Sequence, residues 1–232
     1  MKVLVLPDIH LKPWILDRAA GVAIVKKPDA FVFIGDLVDN WNQEYNLDLY
    51  QETFDRFIGF INEHPNFFFC YGNHDISYEW KKPETGYSYT ARPVVLRGLD
   101  RIRATLPEDR VKFIHKIDNV IFSHGGLVKE YVRYLFDDLE GDLDALLNAI
   151  NNASVSELWN DISPLWARPQ FEKLTRFGDC LQVVGHTPVS ATQDYKGFVS
   201  VDSFSTLSSG EPIGDDKFVI VDTVTKKWYT IK

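Results

Sequence analysis

The chain is 232 residues long, with 25 Lys and Arg against 33 Asp and Glu, a formal net charge of −8. Hydrophobic residues make up 45% and charged residues 25%, an ordinary globular composition that argues against long disorder and supplies ample core material. The acidic balance argues against a protein that wraps a nucleic-acid polymer, because phosphate-backbone binding needs a Lys/Arg excess; one phosphate held at a local site remains compatible with it.

Residues 3–6 form a short apolar run, read as a buried strand. A helical pattern opens at Pro13 and continues to residue 27, with proline in its favoured first-turn position. Residues 30–34 are a second buried strand ending at Gly35. Residues 47–64 place Leu49, Phe54, Phe57, Ile58 and Ile61 at helical spacing and stop before Pro65. Residues 67–71 are a third strand ending at Gly72. Strand, helix, strand, helix, strand points to an α/β layer fold with parallel strands.

Residues 76–93 are aromatic and polar without a clean period and read as loop. Residues 96–106 read as a short basic helix. Residues 111–116 and 120–123 read as a hairpin turning at Asp118-Asn119. Residues 127–166 read as mostly helical. Four more strands are expected at 181–184, 198–201, 218–221 and 228–231. No repeat and no Pro/Ser-rich linker divides the chain, so one domain over residues 1–232 is expected.

No apolar run approaches the 18 or more residues of a membrane helix. The chain meets Asp8 almost at once, which leaves no room for a signal peptide and suggests an uncleaved start. Cys70 and Cys180 are the two cysteines. A disulfide framework is not expected, and a reducing cytoplasmic compartment is.

Five short motifs each follow an expected apolar strand: Asp8-Ile9-His10, Gly35-Asp36-Leu37-Val38-Asp39, Gly72-Asn73-His74-Asp75, His124-Gly125-Gly126 and Gly185-His186-Thr187-Pro188. Loops at the carboxyl ends of strands are where α/β proteins place ligands. Four of the six histidines fall in these motifs. Carboxylate, amide oxygen and imidazole suit Mn, Fe, Zn or Ni. Asp8 and His10, two apart on an extended segment, point the same way and can grip one ion. Taken singly, each motif has an ordinary reading as a turn, a cap or a polar strand end. Five in a row, each after a strand, are poorly explained by coincidence.

The order Asp-x-His, Gly-Asp-x-x-Asp, Gly-Asn-His-Asp, His-Gly-Gly, Gly-His resembles the calcineurin-like metallophosphoesterase superfamily. Ser123-His124-Gly125-Gly126-Leu127, Leu165-Trp166-Ala167-Arg168-Pro169 and Val184-Gly185-His186-Thr187-Pro188 resemble its bacterial and phage serine/threonine phosphoprotein phosphatase branch. The resemblance implies two facing mixed β-sheets flanked by α-helices, with a dimetal site at strand ends. It implies that Asp8, His10 and Asp36 hold a first ion, that Asp36 bridges, and that Asn73, His124 and His186 complete the second. Manganese is the first choice of metal, with iron, zinc or nickel as alternatives. Two divalent ions about 3.5–4 Å apart clamp an in-line displacement and acidify a shared water.

The resemblance further implies that His74 protonates the leaving oxygen and that Asp39 fixes its tautomer. A phosphodiesterase-rich branch carries Gly-His-x-His; Pro188 stands at the second His position here, which favours a phosphatase. The family also commonly reads Gly-Asp-x-x-Asp-Arg-Gly, where the arginine binds substrate phosphate. Asn40 and Trp41 replace Arg-Gly in this chain, leaving Asn40 as an uncharged donor and Arg168 as the best phosphate clamp. The basic stretch Arg92, Arg97, Arg101 and Arg103 reads as a solvated helix face. Trp41, Tyr78, Trp80, Tyr87 and Tyr89 read as ordinary packing, with base stacking or a peptide groove as the alternative. The expected activity is metal-dependent hydrolysis of phosphoserine or phosphothreonine in proteins through the shared hydroxide. A dinucleoside polyphosphate hydrolase is the alternative. A non-catalytic, metal-binding phospho-recognition scaffold, motivated by Asn40 alone, ranks below both.

Overall fold

In the computed structural model of the chain, residues 1–170 and 173–232 are described. The strands are β1 (Lys2–Leu6), β2 (Ala30–Phe33), β3 (Phe67–Cys70), β4 (Val111–Lys112), β5 (Ile114–Ile117), β6 (Val120–Ser123), β7 (Leu181–Val184), β8 (Gln193–Tyr195), β9 (Phe198–Ser200), β10 (Phe218–Asp222) and β11 (Trp228–Ile231). The helices are α1 (Trp14–Lys26), α2 (Leu47–Glu63), α3 (Asn73–Trp80), α4 (Arg92–Thr105), α5 (Lys129–Leu135), α6 (Leu143–Asn151) and α7 (Val155–Leu158).

One sheet has the order β11-β10-β1-β2-β3-β4 and the other β5-β6-β7-β9-β8. The strands β1 to β4 run parallel, as do β6, β7 and β9; β10, β11, β5 and β8 pair antiparallel. Both sheets are therefore mixed, as expected of a two-sheet α/β fold.

Side-chain size explains how the layers stack. Along a strand, alternate residues face opposite sides. Val3, Val5, Ala30, Val32 and Ile34 of the first sheet meet Val120, Phe122, Leu181, Val183 and Val199 of the second in one apolar layer. Their neighbours Leu4, Leu6, Phe31, Phe33, Phe67 and Phe69 face the opposite way, into the cluster containing the helices. Mostly valines thus fill the space between sheets, and phenylalanines dominate the space under α1 and α2. Phe33 sits 4.9 Å from Phe57 of α2, ring to ring. Truncating such a buried phenylalanine to alanine costs about 3–5 kcal/mol.

The structure departs from the sequence reading in four places. Residues 76–80 are helical rather than loop, because α3 starts at Asn73 and buries Ile76 and Tyr78; α4 starts at Arg92. The hairpin begins at Ile114, since Val111–Lys112 pairs with β3 in the other sheet. Its turn at Asp118 (φ 50°) is where the sequence places it. Residues 127–166 break into three short helices and a 3-10 turn, interrupted at Phe136 and Asn152. The edge strand β8 reads Gln-Asp-Tyr, without the apolar alternation that would announce it. No helix among the described residues is long and apolar enough to cross a membrane. Cys70 is buried, Cys180 is partly buried, and both are free thiols.

Candidate active site

All five motifs lie just past the carboxyl ends of parallel strands: β1, β2 and β3 in the first sheet, β6 and β7 in the second. Hydrogen bonds stitch the two edges together. The His124 Nδ1–H donates to Ile34 O at 2.9 Å, and the His186 N–H donates to Asp8 Oδ2 at 2.9 Å. Glycine makes this approach feasible. A Cβ on Gly35 (φ +102°) would strike the Gly72 backbone and the His124 ring, and one on Gly185 would strike the Asp8 carboxylate.

Asp8 and His10 do meet, though not by strand alternation. His10 lies at φ 45° and Leu11 at φ 53°, so the chain turns here. The Ile9 and His10 N–H groups both donate to Asp36 O at 2.9 Å, which folds the first loop onto the second. Asp36, Asp39 and His186 also hold positive φ (61°, 65° and 63°). Each such residue costs on the order of 1–2 kcal/mol, a concentration of strain typical of functional sites.

Two overlapping groups of ligand atoms result, Asp8 with His10 and Asp36, and Asp36 with His124 and His186; within each group the atoms lie within 4.8 Å of one another. Asn73 joins the second group, its Oδ1 2.9 Å from His124 Nε2. The tautomers follow from the backbone. His10 Nδ1 faces Val38 O and Asp39 O at 3.1 and 2.9 Å, so it carries the proton and Nε2 holds the lone pair. His124 Nδ1 donates to Ile34 O, leaving its Nε2 as a lone pair too. These two acceptor nitrogens stand 3.7 and 3.1 Å from the Asp36 Oδ2 acceptor. His124 Nε2 also lies 3.1 Å from His186 Nδ1. Asp8 Oδ1 and His186 Nε2 are buried with no hydrogen-bond partner. Ligand-type atoms converging on one another, beside buried Asp8 Oδ1 and His186 Nε2 with no partner, are a donor set that fits divalent cations.

The electrostatics agree. Burial pushes the Asp8 carboxyl well above its ordinary pKa, with Asp202 and Asp36 adding to the rise. Burial raises Asp202 to about 6. Burial, then the Asp36 charge, raises Asp75 to about 7, against N–H donors that favour the anion. Burial opposes ionisation of Asp36 as well, but without an ion present positive charge on His124 and then His74 outweighs it and holds this carboxyl far below its usual range; an ion on the His124 Nε2 lone pair would take over that role. Burial lowers His10 to about 4 and also lowers His186, so both rings are neutral and available as ligands. A site with this excess of buried carboxylate is short of positive charge, which bound cations would supply.

His74 stands beside the cluster at the start of α3. Its Nδ1–H donates to Asp39 Oδ2 at 3.0 Å, and its ring lines the cavity. Burial lowers the His74 pKa, but the charges of Asp36 and Asp39 outweigh it and lift the pKa to about 9. Asp39 is held in turn by the Tyr50 hydroxyl at 2.9 Å and by the Tyr78 hydroxyl. Asp75 accepts from the N–H groups of Gly72, Asp36 and Leu37 at 3.0, 2.9 and 2.8 Å, tying the second and third loops into one unit.

A cavity of 460 Å³ opens over these groups. Asn40 and Arg168 both line it. One Arg168 nitrogen donates to His186 O at 3.1 Å and to Thr187 Oγ1 at 3.3 Å. Asn40 turns its Oδ1 back to its neighbour's N–H, that of Trp41, at 2.8 Å. The basic stretch on α4 stays outside: Arg101 pairs with Asp55, Arg103 with Glu79 and Asp100, and Arg92 donates to Tyr78 O. Sequence reasoning missed Lys12, Tyr50, Asp75 and Asp202. Asp75 lay in a motif already singled out; the others carry no local signal.

A two-sheet α/β fold with two overlapping carboxylate–imidazole groups at its strand ends, beside a histidine–aspartate pair, defines a metal-dependent hydrolase architecture. The calcineurin-like phosphoesterase family matches residues 1–211, and the chain belongs to that family. Among solved structures, a hypothetical protein from Pyrococcus horikoshii OT3 shares the fold at 15% identity and TM-score 0.50, over 100% of this chain and 87% of that one. A metallophosphoesterase from Sphaerobacter thermophilus aligns at 13% identity and TM-score 0.43, over 100% and 88%. An archaeal phosphodiesterase aligns at 13% and 0.41, over 100% and 99%. No curated protein sequence matches the chain significantly.

Proposed function

We propose that this phosphoesterase is a phosphomonoesterase that removes phosphate from phosphoserine or phosphothreonine in proteins, with two manganese ions as its cofactor. Asp8, His10 and Asp36 would hold one ion; Asp36, Asn73, His124 and His186 would hold the other. Bound there, the pair supplies Lewis acidity toward the phosphoryl oxygens and a water made acidic enough to attack at neutral pH. The observation that carries this reading is the His74–Asp39 pair set beside the ligand cluster and open to the same cavity.

The chain's own groups then have distinct tasks. Asp39 keeps the proton on His74 Nδ1 and so directs Nε2 toward the cavity. A protonated His74 Nε2 delivers its proton to the departing oxygen of the ester. Arg168 orients the phosphoryl group with the nitrogens not tied to His186 and Thr187. Pro188, at the cavity wall, occupies the place where a second histidine would add a ligand. The two free cysteines support a reducing, cytoplasmic setting.

One observation favours a second reading. Trp41 is 44% exposed and lines the cavity, where an indole can stack on a nucleobase. A side-by-side panel decides: metal-stripped protein with manganese restored, given an aryl phosphate, a phosphothreonine peptide and diadenosine tetraphosphate. Phosphopeptide turnover supports the protein phosphatase. Preference for the dinucleotide moves the activity to dinucleoside polyphosphates. Silence on all three with metal bound overturns both. His74→Asn is expected to lower turnover by roughly 10²–10⁴-fold with metal content unchanged.

A further inference from the structure

Among the described residues lining the cavity, two carry a permanent positive charge: Arg168 and Lys12. Arg168 spends part of its guanidinium on His186 and Thr187. Position 40 is neutral, and its side-chain oxygen is satisfied by the next residue's N–H. A phosphate dianion entering this cavity therefore meets, besides His74, little fixed positive charge from the protein and several carboxylates.

Lys12 is placed unlike a surface lysine. It follows two left-handed residues, His10 and Leu11, and its N–H donates to Ile9 O at 3.0 Å. That turn brings it into the wall, where it is only 7% exposed. The charges of Asp202, Asp8 and Asp216 act on its ammonium, but none of these carboxylates lies within ion-pair distance of it. Asp202 directs its Oδ1 to the Ser205 hydroxyl at 2.7 Å. Lys12 also borders an adjoining cavity of 470 Å³ walled by Trp14 and Phe204, so its side chain stands where the two spaces join. Its stem is buried, but its ammonium is not among the buried polar atoms and makes no hydrogen bond to a described residue, which leaves its three donors free for an anion in the cavity.

We propose that Lys12 is a substrate-binding residue whose ammonium holds a phosphoryl oxygen of the ester, supplying the cation that Asn40 does not. Lysine suits the task as a compact charge with three donors, able to follow the phosphoryl group as it flattens. This assignment rests on the phosphoesterase reading above. With ions bound, Asp8 is engaged as a ligand, and Lys12 has charge to spare for the substrate.

The test uses the full, manganese-loaded chain with Lys12→Met and Lys12→Arg. Three quantities are read: KM for an aryl phosphate, the inhibition constant of inorganic phosphate, and the metal stoichiometry. Lys12→Met is expected to raise KM and the phosphate inhibition constant about tenfold or more, with stoichiometry unchanged; Lys12→Arg recovers most of the loss. Unchanged constants in Lys12→Met overturn the assignment, as does a loss confined to metal content. Recovery of wild-type KM in Lys12→Met/Asp202→Asn also overturns it, because Lys12 would then only neutralise Asp202. If the wild-type chain neither hydrolyses the ester nor binds phosphate, the phosphoesterase reading fails and takes this one with it. If the wild type does both and Lys12→Met matches it, the Lys12 assignment alone fails.

Discussion

The two ligand groups share Asp36 but are built differently. Asp8, His10 and Asp36 come from loops after adjacent strands of one sheet, and the His10 side chain keeps 20% exposure. His124 and His186 come from the other sheet, and the His124 side chain is sealed at 0%. The first group draws its ligands from loops after paired strands of one sheet, with Asp8 also accepting the His186 N–H from the other. The second needs ligands from both sheets.

Asp36→Asn attacks what the halves have in common and should have the largest effect. Losing the shared carboxylate removes several kcal/mol of transition-state stabilisation, about a thousandfold in kcat, with both ions weakened. Turnover and metal content on dialysed protein check this; wild-type activity in the presence of chelator would falsify the shared role.

Docking can be probed away from the cluster at His115. Its Nε2–H on β5 donates to Phe69 O on β3 at 3.0 Å, joining the sheets away from the ligand loops. Burial lowers its pKa to about 4, below the ordinary 6.5, so the unfolded chain takes up the proton first. Stability should be intact above pH 6.5, fall between 6.5 and about 4, and level off below. The loss reaches about 3 kcal/mol. Urea midpoints of the wild type and His115→Gln over that range test it: parallel pH dependence in the two would remove His115 as the cause.

His124→Ala against His10→Ala sharpens the contrast directly. Removing His124 orphans Ile34 O inside the protein and should lower stability by about 1–3 kcal/mol even without metal. Removing His10, which is partly open, should cost metal affinity with less loss of fold. Equal destabilisation in metal-free denaturation would erase the distinction. The smallest effect is expected from Tyr78→Phe. It deletes one of the hydroxyls holding Asp39, loosening the His74 partner by about 1 kcal/mol, roughly tenfold or less in kcat, with KM unchanged.

Much of this site was legible because each ligand type sits directly after an apolar strand. Gly35-Asp36 and Gly185-His186 announce both the strand end and the need for close backbone approach. Tyr50 and Tyr78 act on Asp39 from separate helices, and a tyrosine in a helix has no spacing that reveals such a role. Lys12 resembled any lysine before a helix. The helix α3 was hidden because Asp75, the residue that reaches back to the Gly72 N–H, also serves the neighbouring loop, and the short aromatic-rich segment has little amphipathic period. The strand β8 is an edge with two exposed polar residues, paired only through β9.

The glycines at the strand ends have one more consequence. With no side chain between Gly35 and His124, or between Gly185 and Asp8, the separation of the two ligand groups is set by how far apart the sheets stand. The sandwich works as a caliper, and its jaws are adjusted from the handle. Val5, Val32 and Val183, in the apolar layer between the sheets, supply no ligand atom, yet their volume helps set the gap. Two ions clamping one phosphoryl group tolerate only a narrow spacing, about half an ångström in range. Trimming a methyl group from that layer would therefore be felt as altered metal pairing, at a site the trimmed side chain does not itself build.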